Sequence, residues 1–150
     1  MAQDALGEAQ GELQGELPLI GAWRLVSAVN YRDGVGSPCY GVPPAGQLQY
    51  TGDGRMSGFL MDPAWPARST GQPADGFNDF FAYAGRWSRD GDAIAHEVEF
   101  ASSPARVGTR FVRRLRVVDA DTIELETAPE VSKSGAVYLT RLVWRRHVAG

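Results

Sequence analysis

The chain has two histidines, and one of them, His96, stands where a polar side chain is least expected. The stretch AIAHEVEF, residues 93 to 100, alternates like a strand: Ile94, His96, Val98 and Phe100 share one face, while Ala95, Glu97 and Glu99 share the other. A histidine on the apolar face admits two readings. It fills space and hydrogen-bonds a neighbouring polar group, or it faces a ligand as a general acid or base. Burial without an acidic neighbour favours neutral imidazole, which accepts a proton at pH 7.

Other polar candidates fall on similar faces. In RFVRRLRVV, residues 110 to 118, Arg110, Arg114 and Arg116 share one face, read as solvated, and Phe111, Arg113, Leu115 and Val117 share the other. Arg113 is costly to bury alone, so it either bridges to a carboxylate at a rim or holds a ligand carboxylate or developing enolate oxygen. Tyr50 follows Leu48 on one face of its strand, and Tyr83 shares a face with Gly85 and Trp87. Such rings supply apolar wall and their hydroxyls a polar anchor, or they simply fill the core. With Trp87 and Phe100 they are the candidate ligand wall. In GRMSGFLM, residues 54 to 61, neither alternating set is wholly apolar, so the inward set stays open. Phe59 and Met61 are candidates to line a mouth with Trp65, under a proline-rich lid at residues 62 to 76; the other reading is an ordinary surface loop.

Several chemistries are excluded. His96 and His147 lie far apart with no acidic partner at ligand spacing, so no metal is expected. GDGRMSG leads into a strand rather than a helix and reads as a hairpin turn, not a phosphate cradle. There is no dinucleotide fingerprint and no nucleophile elbow, so no cofactor is expected, and Cys39, the single cysteine, sits in a turn without an adjacent histidine. A net charge of −3 argues against a nucleic-acid partner. No run approaches the roughly 18 apolar residues of a membrane span. The N-terminal stretch lacks a basic start and an apolar run, so a secretory signal is not expected and a cytoplasmic location is. Oligomerisation stays open.

The elements that must carry these residues are strands. Residues 1 to 16 read as a flexible tail, and the domain occupies 17 to 150. Eight strand-like runs follow, punctuated by Gly, Asp, Pro and Asn, with Asp-Gly hairpin signals in TGDG and RDGD. An all-β fold is expected: an eight-stranded antiparallel barrel, whose closure removes exposed edges and whose interior holds one small ligand.

Four segments in order, LIGAWRLVS, YTGDGRMSGFLM, FFAYAGRW and RLVWRR, resemble the bacterial and fungal lipocalin-like domain family over about residues 17 to 147. The resemblance implies a calycin-type barrel with an internal cavity for a small hydrophobic molecule. It also implies a structural role for Trp23, in a Gly-x-Trp signature, stacked against an arginine of the last strand. Arg145 or Arg146 matches, and Arg145 is taken as the partner. Some related barrels in natural-product pathways act as cyclases or isomerases.

The expected function is therefore a cofactor-independent cyclase or isomerase acting on a hydrophobic metabolite, with His96 moving a proton and Arg113 or a tyrosine stabilising oxygen charge. The alternatives are a carrier that leaves its ligand unchanged, and a filled barrel serving as an interaction module.

Overall fold

The computed structural model describes residues 18–71 and 78–148, so the expected tail at residues 1 to 16 lies outside the described residues. The described strands are β1 (Gly21–Arg32), β2 (Val35–Pro38), β3 (Ala45–Tyr50), β4 (Arg55–Met61), β5 (Phe80–Asp90), β6 (Ala93–Ala101), β7 (Arg110–Asp119), β8 (Thr122–Thr127), β9 (Glu130–Val131) and β10 (Val137–Arg146). A short helix, α1 (Trp65–Ser69), follows β4, and a 3-10 turn covers Pro104–Arg106. Eight long strands run antiparallel in the order β1-β3-β4-β5-β6-β7-β8-β10, and β10 returns to pair with β1. The barrel is thereby closed, and no long strand is left with an unpaired edge.

The short β2 and β9 are additions beyond the eight expected strands. At the β1–β2 turn, Asp33 and Gly34 both have positive φ, 48° and 81°. That is the backbone of a tight hairpin turn, and Asp-Gly is the pair that adopts it at least cost. The four residues of β2, VGSP, are all exposed, so no burial pattern marks them as a strand.

Cross-strand pairing decides which way β4 faces. Tyr50 lies opposite Met56 and Leu48 opposite Gly58, while on the other side Tyr83 lies opposite Gly58 and Phe81 opposite Leu60. Partners directly across a ladder share a face. Since Leu48 and Tyr50 are enclosed, Met56, Gly58 and Leu60 point inward. Phe59 and Met61 consequently point outward, contrary to their expected place in the mouth; Phe59 is 42% exposed.

Phe100 is displaced by a different cause. Ala84 pairs with Phe100 and Gly85 with Val98, which leaves Glu99 as an extra residue in β6. This bulge shifts the alternation by one position and turns Phe100 to the outside, where it is 64% exposed. Gly85 permits the close approach, because a Cβ there would lie 1.7 Å from the Glu97 carbonyl oxygen.

Inside, Trp23, Leu48, Ile94 and Ile123 are fully enclosed, with Leu25, Leu115, Leu125 and Trp144 nearly so. Burial of each such aliphatic side chain contributes about 1.5–3 kcal/mol. One end is sealed by Trp23, whose cross-strand partner is Arg146. The Arg146 guanidinium carbon lies 4.2 Å from the indole centroid. It also donates to the carbonyls of Pro18 at 2.6 Å and Ile20 at 3.2 Å, and the Trp23 indole N–H donates to the Leu19 carbonyl at 2.9 Å. Arg145, the expected partner, is exposed: adjacent strand residues face opposite ways, and inward-facing Trp144 leaves 146 as the next inward position. The expected solvated face is present, with Arg110, Arg114 and Arg116 outside and paired to Glu97, Asp92 and Glu124.

Candidate functional site

A cavity of about 710 Å³ occupies the barrel end opposite Trp23. Its wall is drawn from the ends of β1, β4 and β8 and from the beginnings of β5, β7 and β10. Leu60, Phe81, Phe111 and Leu142 give it an apolar surface, interrupted by Tyr40, Tyr83, Arg106, Arg113 and Glu130. The size is that of a small-molecule site, and the wall is mixed, with Asn30, Thr109, Arg110, Thr127 and Thr140 adding further polar groups.

His96 lies beneath this cavity, buried to 1% exposure and absent from its wall. Two tyrosines hold it. The Tyr50 hydroxyl is 2.7 Å from Nε2 and the Tyr83 hydroxyl 2.9 Å from Nδ1. Tyr50 packs against Trp87 with ring centroids 4.7 Å apart, and the Trp87 indole N–H donates to the Thr51 carbonyl at 3.0 Å. Tyr83 stacks on Phe81 and meets Phe111 edge-on, both at 5.2 Å. Space for its phenol comes from Gly58, where a Cβ would come within 3.2 Å of the ring.

Burial, seconded by the positive Arg113, pushes the His96 imidazole down to about 3, so it is neutral at pH 7. A neutral ring has one N–H donor and one acceptor nitrogen. Tyr50 is enclosed, and among the described residues His96 is the hydrogen-bond partner of its hydroxyl. If Nε2 carried the proton, the Tyr50 O–H would be left without an acceptor, at a cost of about 1–3 kcal/mol. The favoured arrangement has Tyr50 donating to Nε2 and Nδ1–H donating to the Tyr83 oxygen. The Tyr83 proton is then turned away from His96, and Tyr83 forms part of the cavity wall. Burial pushes the Tyr83 phenol up to about 12 and holds Tyr50 well above the ordinary tyrosine value, so both remain protonated.

Arg113 also reaches the cavity wall, half-buried, with its guanidinium carbon 4.8 Å from the Phe111 centroid. Burial lowers its pKa from the usual arginine value. The structure thus brings together His96, Arg113, Tyr50, Tyr83 and Trp87, and leaves Phe59, Met61 and Phe100 on the outer side.

The proline-rich stretch is described only as far as residue 71. There Trp65 stacks on Phe80 at 5.5 Å and 19°, and Arg68 pairs with Asp62 and Asp79. Trp65 does not belong to the cavity wall. Tyr40, Arg106 and Glu130 do, and sequence reasoning missed them, because each lies outside the long alternating runs. Among the described residues no cluster of His, Cys, Asp and Glu is arranged to hold a metal, and no helix is long and apolar enough to cross a membrane.

Compared with known proteins, residues 20–147 match the family model described as a lipocalin-like domain. No curated protein sequence matches the chain. Among solved structures, the chain is similar to an uncharacterized protein from Bacteroides eggerthii DSM 20697, at 12% identity and a TM-score of 0.49, over 87% of this chain and 100% of that one. It is also similar to a redesigned β-barrel, at 13% identity and a TM-score of 0.41, over 90% of this chain and 96% of the other. A de novo designed fluorescence-activating β-barrel aligns at 17% identity and a TM-score of 0.40, over 89% and 96% of the two chains.

Proposed function

The chain belongs to the lipocalin-like domain family, and on that premise we propose that it binds a small, largely apolar metabolite in its cavity and acts on it as a cofactor-independent cyclase or isomerase. One observation carries this reading: the Tyr50–His96–Tyr83 chain ends on Tyr83, a residue of the cavity wall whose proton the chain leaves free to donate. A ligand carbonyl oxygen accepting from Tyr83 gains negative charge as an enol carbon of the same molecule closes a ring onto the β-carbon of the enone. The new carbon–carbon bond takes the enol's electron pair, and the enone π electrons move onto that oxygen. The enol proton is lost to solvent water while another is returned from water to the enolate carbon, so substrate and product are isomers. A fixed donor in an enclosed site stabilises that charge without reorganising, and positive Arg113 adds to the potential. The apolar wall contributes by holding a flexible substrate in a folded, reactive shape.

In this mechanism His96 is a positioning residue rather than a base. Complete transfer of a proton along the chain would leave a phenolate on enclosed Tyr50, whose pKa burial holds far above neutrality. The chain therefore donates a hydrogen bond and keeps its protons.

A carrier is the second reading. It is favoured by the occupation of both His96 ring nitrogens by tyrosines, which places no histidine base in reach of a ligand. The test is to incubate wild type and Tyr83→Phe with linear polyketide-like and terpenoid-like enones, separating isomers by chromatography and following binding in parallel. Turnover that falls at least about tenfold in Tyr83→Phe supports the enzyme, that being the scale of one donor's contribution. Binding without turnover by either protein supports the carrier, and absence of binding overturns both.

A further inference from the structure

We propose that the ligand is an apolar acid whose carboxylate sits on Arg113, beside Phe111 in the cavity wall. This rests on the binding reading above and adds the class of ligand to it.

The first ground is the contrast between Arg113 and five arginines of the outer face. Arg55, Arg110, Arg114, Arg116 and Arg141 each reach an Asp or Glu. Arg113 is half-buried, yet no carboxylate among the described residues forms an ion pair with it. Its protein hydrogen bond is a 3.2 Å donation from Nη1 to the carbonyl of the adjacent Val112. A guanidinium has five N–H donors in a planar fork, so one carbonyl acceptor among the described residues leaves most of its capacity unmet. A cation withdrawn from water needs either a counter-charge or several acceptors, and a bidentate carboxylate supplies both.

The second ground is the charge around it. Arg106 also lines the cavity, with its guanidinium carbon 5.9 Å from the centroid of the same Phe111 ring that Arg113 covers. The two positive groups repel, and that repulsion adds to burial, the larger cause, in lowering Arg113's pKa. Arg110 stands at the rim with Glu97 as its partner, and Glu130 is the acidic residue in the described wall, acting on Arg113 through space without pairing to it. An anion near Arg113 relieves the repulsion from Arg106. From that point Phe81, Leu60 and Leu142 offer the apolar path an attached hydrocarbon requires.

The experiment uses the whole chain loaded with the neutral dye Nile red and displaced by dodecanoate or by 1-dodecanol at pH 7.5. Dodecanoate is expected to displace the dye from wild type at a concentration at least about tenfold lower than dodecanol, the scale of one charge-assisted pair. In Arg113→Gln the ratio is expected to fall below about threefold, with the dodecanol midpoint unchanged. Equal midpoints in wild type, displacement by neither compound, or an acid preference that survives in Arg113→Gln would each overturn the proposal while dye binding keeps the cavity reading intact. If Nile red does not enter and neither compound slows N-ethylmaleimide at Cys39, which lines the cavity, the binding reading fails and this inference falls with it. If Arg113→Gln does not fold, Arg106→Gln takes its place: an acid preference that survives in it supports Arg113 as the carboxylate's partner, and one that disappears overturns the proposal.

Discussion

Enclosure of a neutral His96 makes the protein sensitive to acid in a way that can be calculated. In the unfolded chain the imidazole titrates near 6.5, whereas burial and Arg113 bring it to about 3 in the fold. Between these values the unfolded state binds a proton that the folded state does not. Stability therefore rises with pH across this window and is lost as pH falls below 6.5. The slope is about 1.4 kcal/mol per pH unit, so at pH 4.5 the loss from this one residue is about 2.7 kcal/mol. His96→Gln does not titrate and keeps a donor and an acceptor between the tyrosines. Urea unfolding of both proteins, followed by tryptophan fluorescence at pH 7.5 and pH 4.5, isolates the term, because the carboxylates common to both cancel in the difference. Wild type should lose about 2.7 kcal/mol more than the variant on acidification. A difference that changes by less than about 0.5 kcal/mol would mean that His96 titrates alike in both states, and the enclosure argument would fail.

Three further outcomes follow from the geometry. Arg146→Gln should cost about 2 kcal/mol in urea unfolding, through loss of the Trp23 stack and two carbonyl contacts, whereas exposed Arg145→Gln should stay within about 0.5 kcal/mol. Gly85→Ala should cost more than about 3 kcal/mol, since its Cβ would lie 1.7 Å from backbone oxygen at the β6 bulge; circular dichroism during urea unfolding reads the loss. Cys39 is the single cysteine and lines the cavity, so a bound ligand should slow its reaction with N-ethylmaleimide at least about threefold, the protection expected when most of a small ligand's surface is covered by the wall.

Alternation made much of the barrel legible. It placed Ile94, His96 and Val98 inward together, and it put Arg113 on the Phe111 face, because within one unbroken strand the side-chain period is fixed. What it could not reach was nonlocal. The bulge at Glu99 exists because Gly85 of the neighbouring strand admits a backbone approach, so the reversal at Phe100 is written partly in β5. The faces of β4 are likewise set by Leu48, Tyr50 and Tyr83 across two ladders, not by its own mixed sequence. Arg145 and Arg146 are adjacent and identical in type, so only the inward phase of Trp144 separates them. The role of His96 needed its partners: position on an apolar face announced a buried imidazole, but both tyrosines had to be seen on its nitrogens before the proton could be assigned.

That assignment gives Tyr50 an influence on the ligand that it never touches. Tyr50 donates to Nε2 because its enclosed hydroxyl has no other acceptor among the described residues, and the ring proton is thereby held on Nδ1, with Tyr83's proton turned away from His96. In Tyr50→Phe this constraint disappears. Nε2 can then carry the proton, and Nδ1 becomes an acceptor that draws the Tyr83 O–H inward, away from the ligand. The imidazole nitrogens of ¹⁵N-labelled protein report the change directly: wild type should give a protonated Nδ1 and an unprotonated Nε2, and Tyr50→Phe should shift population toward the opposite tautomer. Affinity for a carbonyl ligand should fall in Tyr50→Phe, with affinity for a hydrocarbon analogue retained, since the apolar wall is unchanged. A wild-type spectrum with the proton on Nε2 would reverse the direction of the chain and remove the donor on which the carbonyl reading depends.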